Sequence, residues 1–203
     1  MRAAVYPASG EPTDLTVETV PDPDPDLGQA LVRVEACLVN HNDPWKLKGT
    51  RETDGENFVG GADVAGVVER VEHDGTVSSI DPGDHVLLCP LKTCGTSRYC
   101  REGPENYCAE YDSYDGAFAE RCAVEADRLI RLPDGANFVA ASTLPVVYMT
   151  AWRMLERASI TADDRVFVPC ATGGVGVTTV QLAGFRGAET IWTSTSEQKL
   201  KRL

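Results

Sequence analysis

Arg165-Val166-Phe167-Val168-Pro169-Cys170-Ala171-Thr172-Gly173-Gly174-Val175-Gly176-Val177-Thr178-Thr179-Val180-Gln181-Leu182-Ala183 is the stretch on which the fold turns. It reads as a strand over Arg165–Pro169, a turn over Cys170–Gly176 and a helix running through Gln181 to about Phe185. The turn is built from small residues, so backbone can approach backbone or a ligand there. A helix N-terminus leaves amide N–H groups unpaired and carries partial positive charge, so a pyrophosphate would sit at this one. Gly173 and Gly174 permit the tight turn and Gly176 lets the helix pack on the strand, while Ala171 stands where the G-x-G-x-x-G pattern has its first glycine. A second apolar segment, Thr190–Thr193, follows Gly187 at βαβ spacing, which favours a nucleotide site over an ordinary strand-to-helix turn.

The 203 residues suffice for one large or two modest domains. No apolar run is long enough to span a membrane, and the start Met1-Arg2-Ala3-Ala4-Val5-Tyr6-Pro7 is too short for a signal peptide, so a soluble, cytoplasmic protein is expected. A formal charge of −12 argues against nucleic acid or an anionic membrane as partner, since both demand basic surface. Carboxylates spread along a lysine-poor chain suit a halophilic cytoplasm, where salt screens their repulsion; loss of fold in low salt would support that, and indifference to salt would sink it. Of seven cysteines, Cys37, Cys122 and Cys170 sit singly in apolar runs and are expected as small buried hydrophobes. Cys89, Cys94, Cys100 and Cys108 cluster, which in a reducing compartment points to metal or thiol chemistry.

Upstream, Arg2–Tyr6 and Leu15–Val20 read as strands around a Gly10-Glu11-Pro12 turn, and Pro21–Asp26 as an exposed extended loop. Gln29–Val39 alternates as a half-buried strand, with Val32, Val34, Ala36 and Leu38 on one face. Asn40-His41-Asn42-Asp43-Pro44-Trp45 follows it as a polar cluster on a fixed support, with Asn42 or Asp43 as the cap of a helix that Pro44 begins as the plainer reading. Gly49–Asn57 reads as a polar loop, Phe58–Val71 as a strand bent at its glycines, Glu72–Gly75 and Asp81–Asp84 as turns, and His85–Leu88 as a strand. So many short strands with regular turns suggest a closed or nearly closed β-barrel. Pro145–Arg157 reads as an amphipathic helix with Val147, Ala151, Met154 and Leu155 inward.

Gly61-Ala62-Asp63-Val64-Ala65-Gly66-Val67-Val68, Gly83-Asp84-His85-Val86, Asp115-Gly116-Ala117-Phe118-Ala119-Glu120, Leu132-Pro133-Asp134 and Ala171–Gly176 together resemble the medium-chain dehydrogenase/reductase superfamily. The run Val39–Trp45 is similar to its quinone-oxidoreductase-like and zinc-alcohol-dehydrogenase-like branches. The resemblance implies an α+β GroES-like β-barrel catalytic domain over residues 1–144, then the α/β opening of a Rossmann dinucleotide-binding domain over 145–203. It also implies hydride transfer to or from a nicotinamide cofactor. Since the chain stops at Leu203, soon after the second strand of such a domain, a fragment inactive by itself is expected.

The Asn40-x-x-Asp43 pattern resembles the branch without zinc. It implies that Asn40 hydrogen-bonds a substrate or cofactor carbonyl and that Asp43 fixes the loop, with His41 a weaker candidate for proton transfer. Zinc alcohol dehydrogenases of the family place a cysteine where Asn40 stands and a histidine where Ala62 stands, so no catalytic zinc is expected. Their four structural cysteines would fall at Cys94, Ser97, Cys100 and Cys108, which leaves three thiolates unless Cys89 or Asp112 completes the set. A structural zinc and a vestigial lobe without metal both remain open. After the second strand, Thr193-Ser194-Thr195-Ser196 stands where NAD sites carry an acidic residue, and Lys199 follows, which favours NADP(H) over NAD(H) on Ala171–Gly176, Ser194, Thr195 and Lys199. The competing reading there is Ser196 capping a helix from Glu197. These expectations describe an NADP(H)-dependent oxidoreductase transferring hydride between nicotinamide and a quinone, enone or other carbonyl substrate, homodimeric or homotetrameric when full length. The alternatives are a zinc-dependent alcohol dehydrogenase, and a non-catalytic nucleotide-binding or redox-sensing protein using the cysteine loop.

Overall fold

Gln29–Leu38 (β3) is a ten-residue strand of the N-terminal half, where its alternating residues bury Ala30 and Val32 and expose Arg33 and Glu35. The computed structural model describes residues 1–8, 11–48, 57–73, 75 and 79–203. The chain divides into two units, Met1–Pro145 and Val146–Leu203.

In the first unit the strands are β1 (Arg2–Tyr6), β2 (Thr16–Thr19), β3, β4 (Phe58–Val59), β5 (Asp63–Val71), β6 (His85–Leu88), β7 (Leu91–Lys92), β8 (Asp112–Ser113), β9 (Arg121–Glu125) and β10 (Leu129–Arg131). The helices are α1 (Asn42–Leu47), α2 (Arg98–Glu102) and α3 (Phe138–Ala141). An antiparallel sheet runs in the order β10-β6-β5-β3-β9, beside a β2-β1-β4 sheet and a β7-β8 pair. No closed barrel forms among the described residues. The sheets are instead tied through one shared segment: the Ala4 amide donates to the Phe118 carbonyl at 2.7 Å, and the amides of Glu120 and Val34 donate to the Arg2 and Glu120 carbonyls at 3.1 and 3.0 Å.

Val32, Val64, Val68, Ile80, Val86, Leu88 and Val124 form the core. The expected single strand Phe58–Val71 splits into β4 and β5. Within β5, Gly66 faces Val34 where the β3 register shifts, and a Cβ there would lie 2.2 Å from the Arg33 carbonyl oxygen, so only glycine lets the strands close up. The expected Gly49–Asn57 loop lies, up to Glu56, outside the described residues, as do Gly10 of the first turn and Asp74 of the Glu72–Gly75 turn.

The second unit holds α4 (Pro145–Arg157), β11 (Arg165–Val168), α5 (Gly174–Phe185), β12 (Glu189–Trp192) and α6 (Glu197–Leu200). β11 and β12 pair in parallel through α5, the βαβ arrangement. Val147, Ala151 and Leu155 of α4 are buried as their spacing required, but Met154 is 47% exposed, because it lies on the flank of the stripe rather than its centre. No helix among the described residues is long and apolar enough to cross a membrane.

Candidate functional site

In the first unit, the end of β3, helix α1 and the start of β5 meet in a polar cluster. Asp43 and Lys46 of α1 are 4% and 5% exposed, and Asp63, the first residue of β5, is fully buried. Buried ionisable groups persist only when paired and hydrogen-bonded, and these are. The Asn40 backbone amide donates to Asp43 Oδ2 at 2.7 Å, Asn40 Nδ2 donates to Asp63 Oδ2 at 2.8 Å, and Lys46 Nζ pairs with Asp115. Asp43 therefore does not cap α1 through a side-chain bond to a later amide. The helix begins at Asn42, two residues before Pro44, and His41 at its cap position offers it no side-chain bond.

Burial raises the Asp43 carboxyl above its ordinary value, opposed by hydrogen bonds from the Asn40 and Gly61 amides and by the Lys46 charge. Burial, and then the Asp43 charge, raises the Tyr6 phenol. Cys37 is pushed up to about 12, first by burial and then by Asp63, so this thiol is inert. Of the three expected catalytic residues, Asn40 and Asp43 are joined directly, while His41 is exposed with its ring 6.0 Å from that of Trp45. Asp63, Lys46 and Asp115 were not read as site residues from the sequence. A lone carboxylate inside the apolar run Val59–Val68 was the available signal for Asp63.

The cysteine lobe brings the Sγ atoms of Cys94, Cys100 and Cys108 within 4.8 Å of one another, with Cys94 3.8 Å from Cys100 and 3.5 Å from Cys108. Among the described residues neither Cys89 nor Asp112 joins this group. Ser97 starts α2, its Oγ accepting from the Cys100 amide at 3.3 Å and donating to Cys100 Sγ at 3.2 Å. Hydrogen bonds from the Thr96 and Ser97 amides lower the Cys94 thiol to about 6, and the Ser97 hydroxyl lowers Cys100. Arg128 holds the lobe by donating to Glu105 Oε2 at 2.6 Å and to Thr93 Oγ1 at 3.0 Å. Gathered, readily ionised thiols are donors that could hold a metal such as zinc, one short of the four ligands a closed structural site takes.

In the second unit, helix α5 opens at Gly174, inside the glycine run and earlier than the expected turn allowed, and no side chain caps Gly173 at its start. Its first-turn amides thus stay open to an anion, which is the feature a pyrophosphate requires. A Cβ at Gly176 would fall 2.6 Å from the Cys170 carbonyl oxygen, so close packing of helix on turn depends on glycine. Cys170 is exposed, with φ of 55°, rather than the buried hydrophobe expected; the turn before the glycines demands a left-handed residue and leaves its side chain outside. Cys122 is buried as expected.

Thr172 and Ser194 hydroxyls meet at 2.7 Å, joining the turn to the segment after β12; Ala171 is buried and Val175 half-buried. Thr195 and Lys199 are exposed, and Ser196 caps α6, its Oγ accepting from the Lys199 amide at 3.3 Å.

Residues 26–134 match the family model described as alcohol dehydrogenase GroES-like domain. The acryloyl-coenzyme A reductase of Sulfurisphaera tokodaii is 32% identical over 99% of this chain and 60% of its own length. The quinone oxidoreductase of Mus musculus is 30% identical over 99% of this chain and 54% of its own length. A crystal structure of an NAD-dependent alcohol dehydrogenase superposes with a TM-score of 0.92 at 34% identity, covering 100% of this chain and 60% of that one. The chain thus spans about 60% or less of the length of these relatives.

Proposed function

This chain belongs to the alcohol dehydrogenase GroES-like family, within the medium-chain dehydrogenase/reductase superfamily, and from that premise we propose that it serves a nicotinamide-dependent reductase of activated carbonyl compounds such as enones and quinones. The observation that carries this reading is the Asn40–Asp63 pair beside Ala62. A carboxamide, held by a buried carboxylate, stands where zinc alcohol dehydrogenases bring metal ligands; it can orient a bound ligand by hydrogen bonding but supplies no Lewis acid. An activated acceptor needs less polarisation than a plain ketone, so orientation and hydrogen bonding suffice. The similarity to a reductase of an α,β-unsaturated thioester supports the same class.

The cofactor supplies or receives the hydride. The uncapped start of α5 would hold its pyrophosphate, and the Thr172–Ser194 hydroxyl pair with the exposed Lys199 favours the 2′-phosphate of NADP(H). Asn40 orients the substrate or the nicotinamide, while Asp43 and Lys46 hold the α1 end in place. Zinc at Cys94, Cys100 and Cys108 would brace the lobe. A cytoplasmic homodimer or homotetramer acting on a small molecule goes with this reading, and no nucleic acid or membrane partner suits the charge of −12.

The test is cofactor oxidation by the full-length protein that carries this chain, with 2-cyclohexenone, a benzoquinone and ethanol as probes, alongside zinc analysis of protein purified without chelator; the 203-residue chain by itself is expected to turn over none of them. NADPH consumption with the enone or quinone, and none with NADP⁺ and ethanol, is expected. Zinc-dependent turnover of ethanol would instead establish the alcohol dehydrogenase reading, which the likeness to the NAD-dependent enzyme supports. Reversible oxidation of the Cys94 thiol without turnover of any probe would favour a redox sensor, a role its lowered pKa suits.

A further inference from the structure

Asn40 is half-buried and fixed at two points: its backbone amide by Asp43 and its side-chain nitrogen by Asp63. An asparagine amide can turn over, exchanging a two-hydrogen donor for an acceptor. Here the choice is made by a neighbour that is 0% exposed and begins a central strand, because a carboxylate oxygen can accept from Nδ2 but gives Oδ1 nothing. Among the described residues no hydrogen bond reaches Oδ1.

We propose that Asp63 is a positioning residue: it holds the Asn40 carboxamide with nitrogen inward, so that Oδ1 is presented as the acceptor for a hydroxyl or amide proton of the bound ligand. This rests on the oxidoreductase reading and deepens it. An amide that donates to an anion gains electron density on its oxygen, which strengthens Oδ1 as an acceptor and weakens the remaining N–H as a donor. Asn40 then recognises the donor side of its ligand, such as the carboxamide NH₂ of a nicotinamide or a substrate hydroxyl, rather than polarising a carbonyl. The sequence expectation had assigned it a carbonyl.

Two variants and one spectrum test this. In the 15N-labelled chain, one Asn40 side-chain amide proton is expected far downfield and slow to exchange, and that signature should vanish in Asp63→Leu. Asp63→Asn, whose amide oxygen can still accept from Nδ2, should retain part of it. In the full-length protein that carries this chain, with NADPH and 2-cyclohexenone as probes, Asp63→Leu should lower kcat/KM about tenfold, the size of one hydrogen bond. Asp63→Asn should recover part of the loss, and adding Asn40→Leu to Asp63→Leu should deepen it no further. An unchanged Asn40 amide spectrum in Asp63→Leu, additive losses in the double variant, or kcat/KM within twofold of the parent would overturn the proposal. If the full-length parent turns over none of the probes, the oxidoreductase reading fails and the amide spectra alone decide the role of Asp63.

Discussion

Replacing either of two glycines of α5 by alanine should shift stability in opposite directions. At Gly176 the added Cβ would stand 2.6 Å from the Cys170 carbonyl oxygen and 2.7 and 2.9 Å from Cα and C of Ala171. All three are backbone atoms, so no flexible side chain can yield, and ordinary contact is restored only if the helix start moves off the strand. Overpacking of this kind costs about 1–3 kcal/mol. Alanine returns roughly 1 kcal/mol in helix propensity. With three backbone contacts the cost lies toward the upper end and prevails, leaving Gly176→Ala destabilised by up to about 2 kcal/mol. At Gly184, on the same helix, nothing lies within 4 Å of the added Cβ. Gly184→Ala should therefore gain about 0.5–1 kcal/mol. Urea unfolding followed by tryptophan fluorescence reads both, since Trp152 and Trp192 lie in this unit. A Gly176→Ala midpoint at or above that of the parent, or both variants moving the same way, would sink the close-packing account of the turn.

Cys170→Gly should raise the thermal midpoint, because an L-residue at φ of 55° is strained by about 1–2 kcal/mol and this exposed thiol loses little packing; an unchanged or lower midpoint would contradict it. Asp43→Ala strips the Asn40 amide of its acceptor in a buried site and should cost about 1–3 kcal/mol, whereas Asp43→Asn keeps an acceptor oxygen and should cost less; equal denaturant midpoints would refute the distinction. Ser97→Cys should complete a four-thiolate set and make zinc harder to remove with chelator, at the expense of the α2 cap; elemental analysis after chelation reads this, and zinc no better retained than in the parent counts against it. The metal-free protein should also respond to pH through Cys94, lowered from an ordinary 9.0 to about 6. A depressed folded pKa gives stability fully present above about 9 and lost as pH falls through about 6, so unfolding midpoints in chelator should fall over that range, and a rise would refute it.

What the sequence made legible, and what it did not, divides along one physical line. Periodicity and glycine placement are local, so β3, β6, α4 and the βαβ turn could be read from short stretches. The strand pairing that decides whether a barrel closes is not local, and the sheets β10-β6-β5-β3-β9 and β2-β1-β4 are joined through residues 118–120, which no short-range pattern marks. The site divides in the same way. Asn40 and Asp43, three residues apart, were visible as a pair, but what fixes Asn40 is Asp63, 23 residues later, and what holds Lys46 is Asp115, 69 residues later. Cys170 failed for a further reason. A cysteine in an apolar run is a buried hydrophobe by composition, yet the turn to α5 needs a left-handed residue at that point, and its backbone conformation placed the thiol outside. A buried carboxylate is costly unless it is paired and hydrogen-bonded, and Asp63 has Asn40 as such a partner. Asp63 is therefore the residue whose replacement best separates a site that only holds the fold together from one that presents a chosen atom to a ligand.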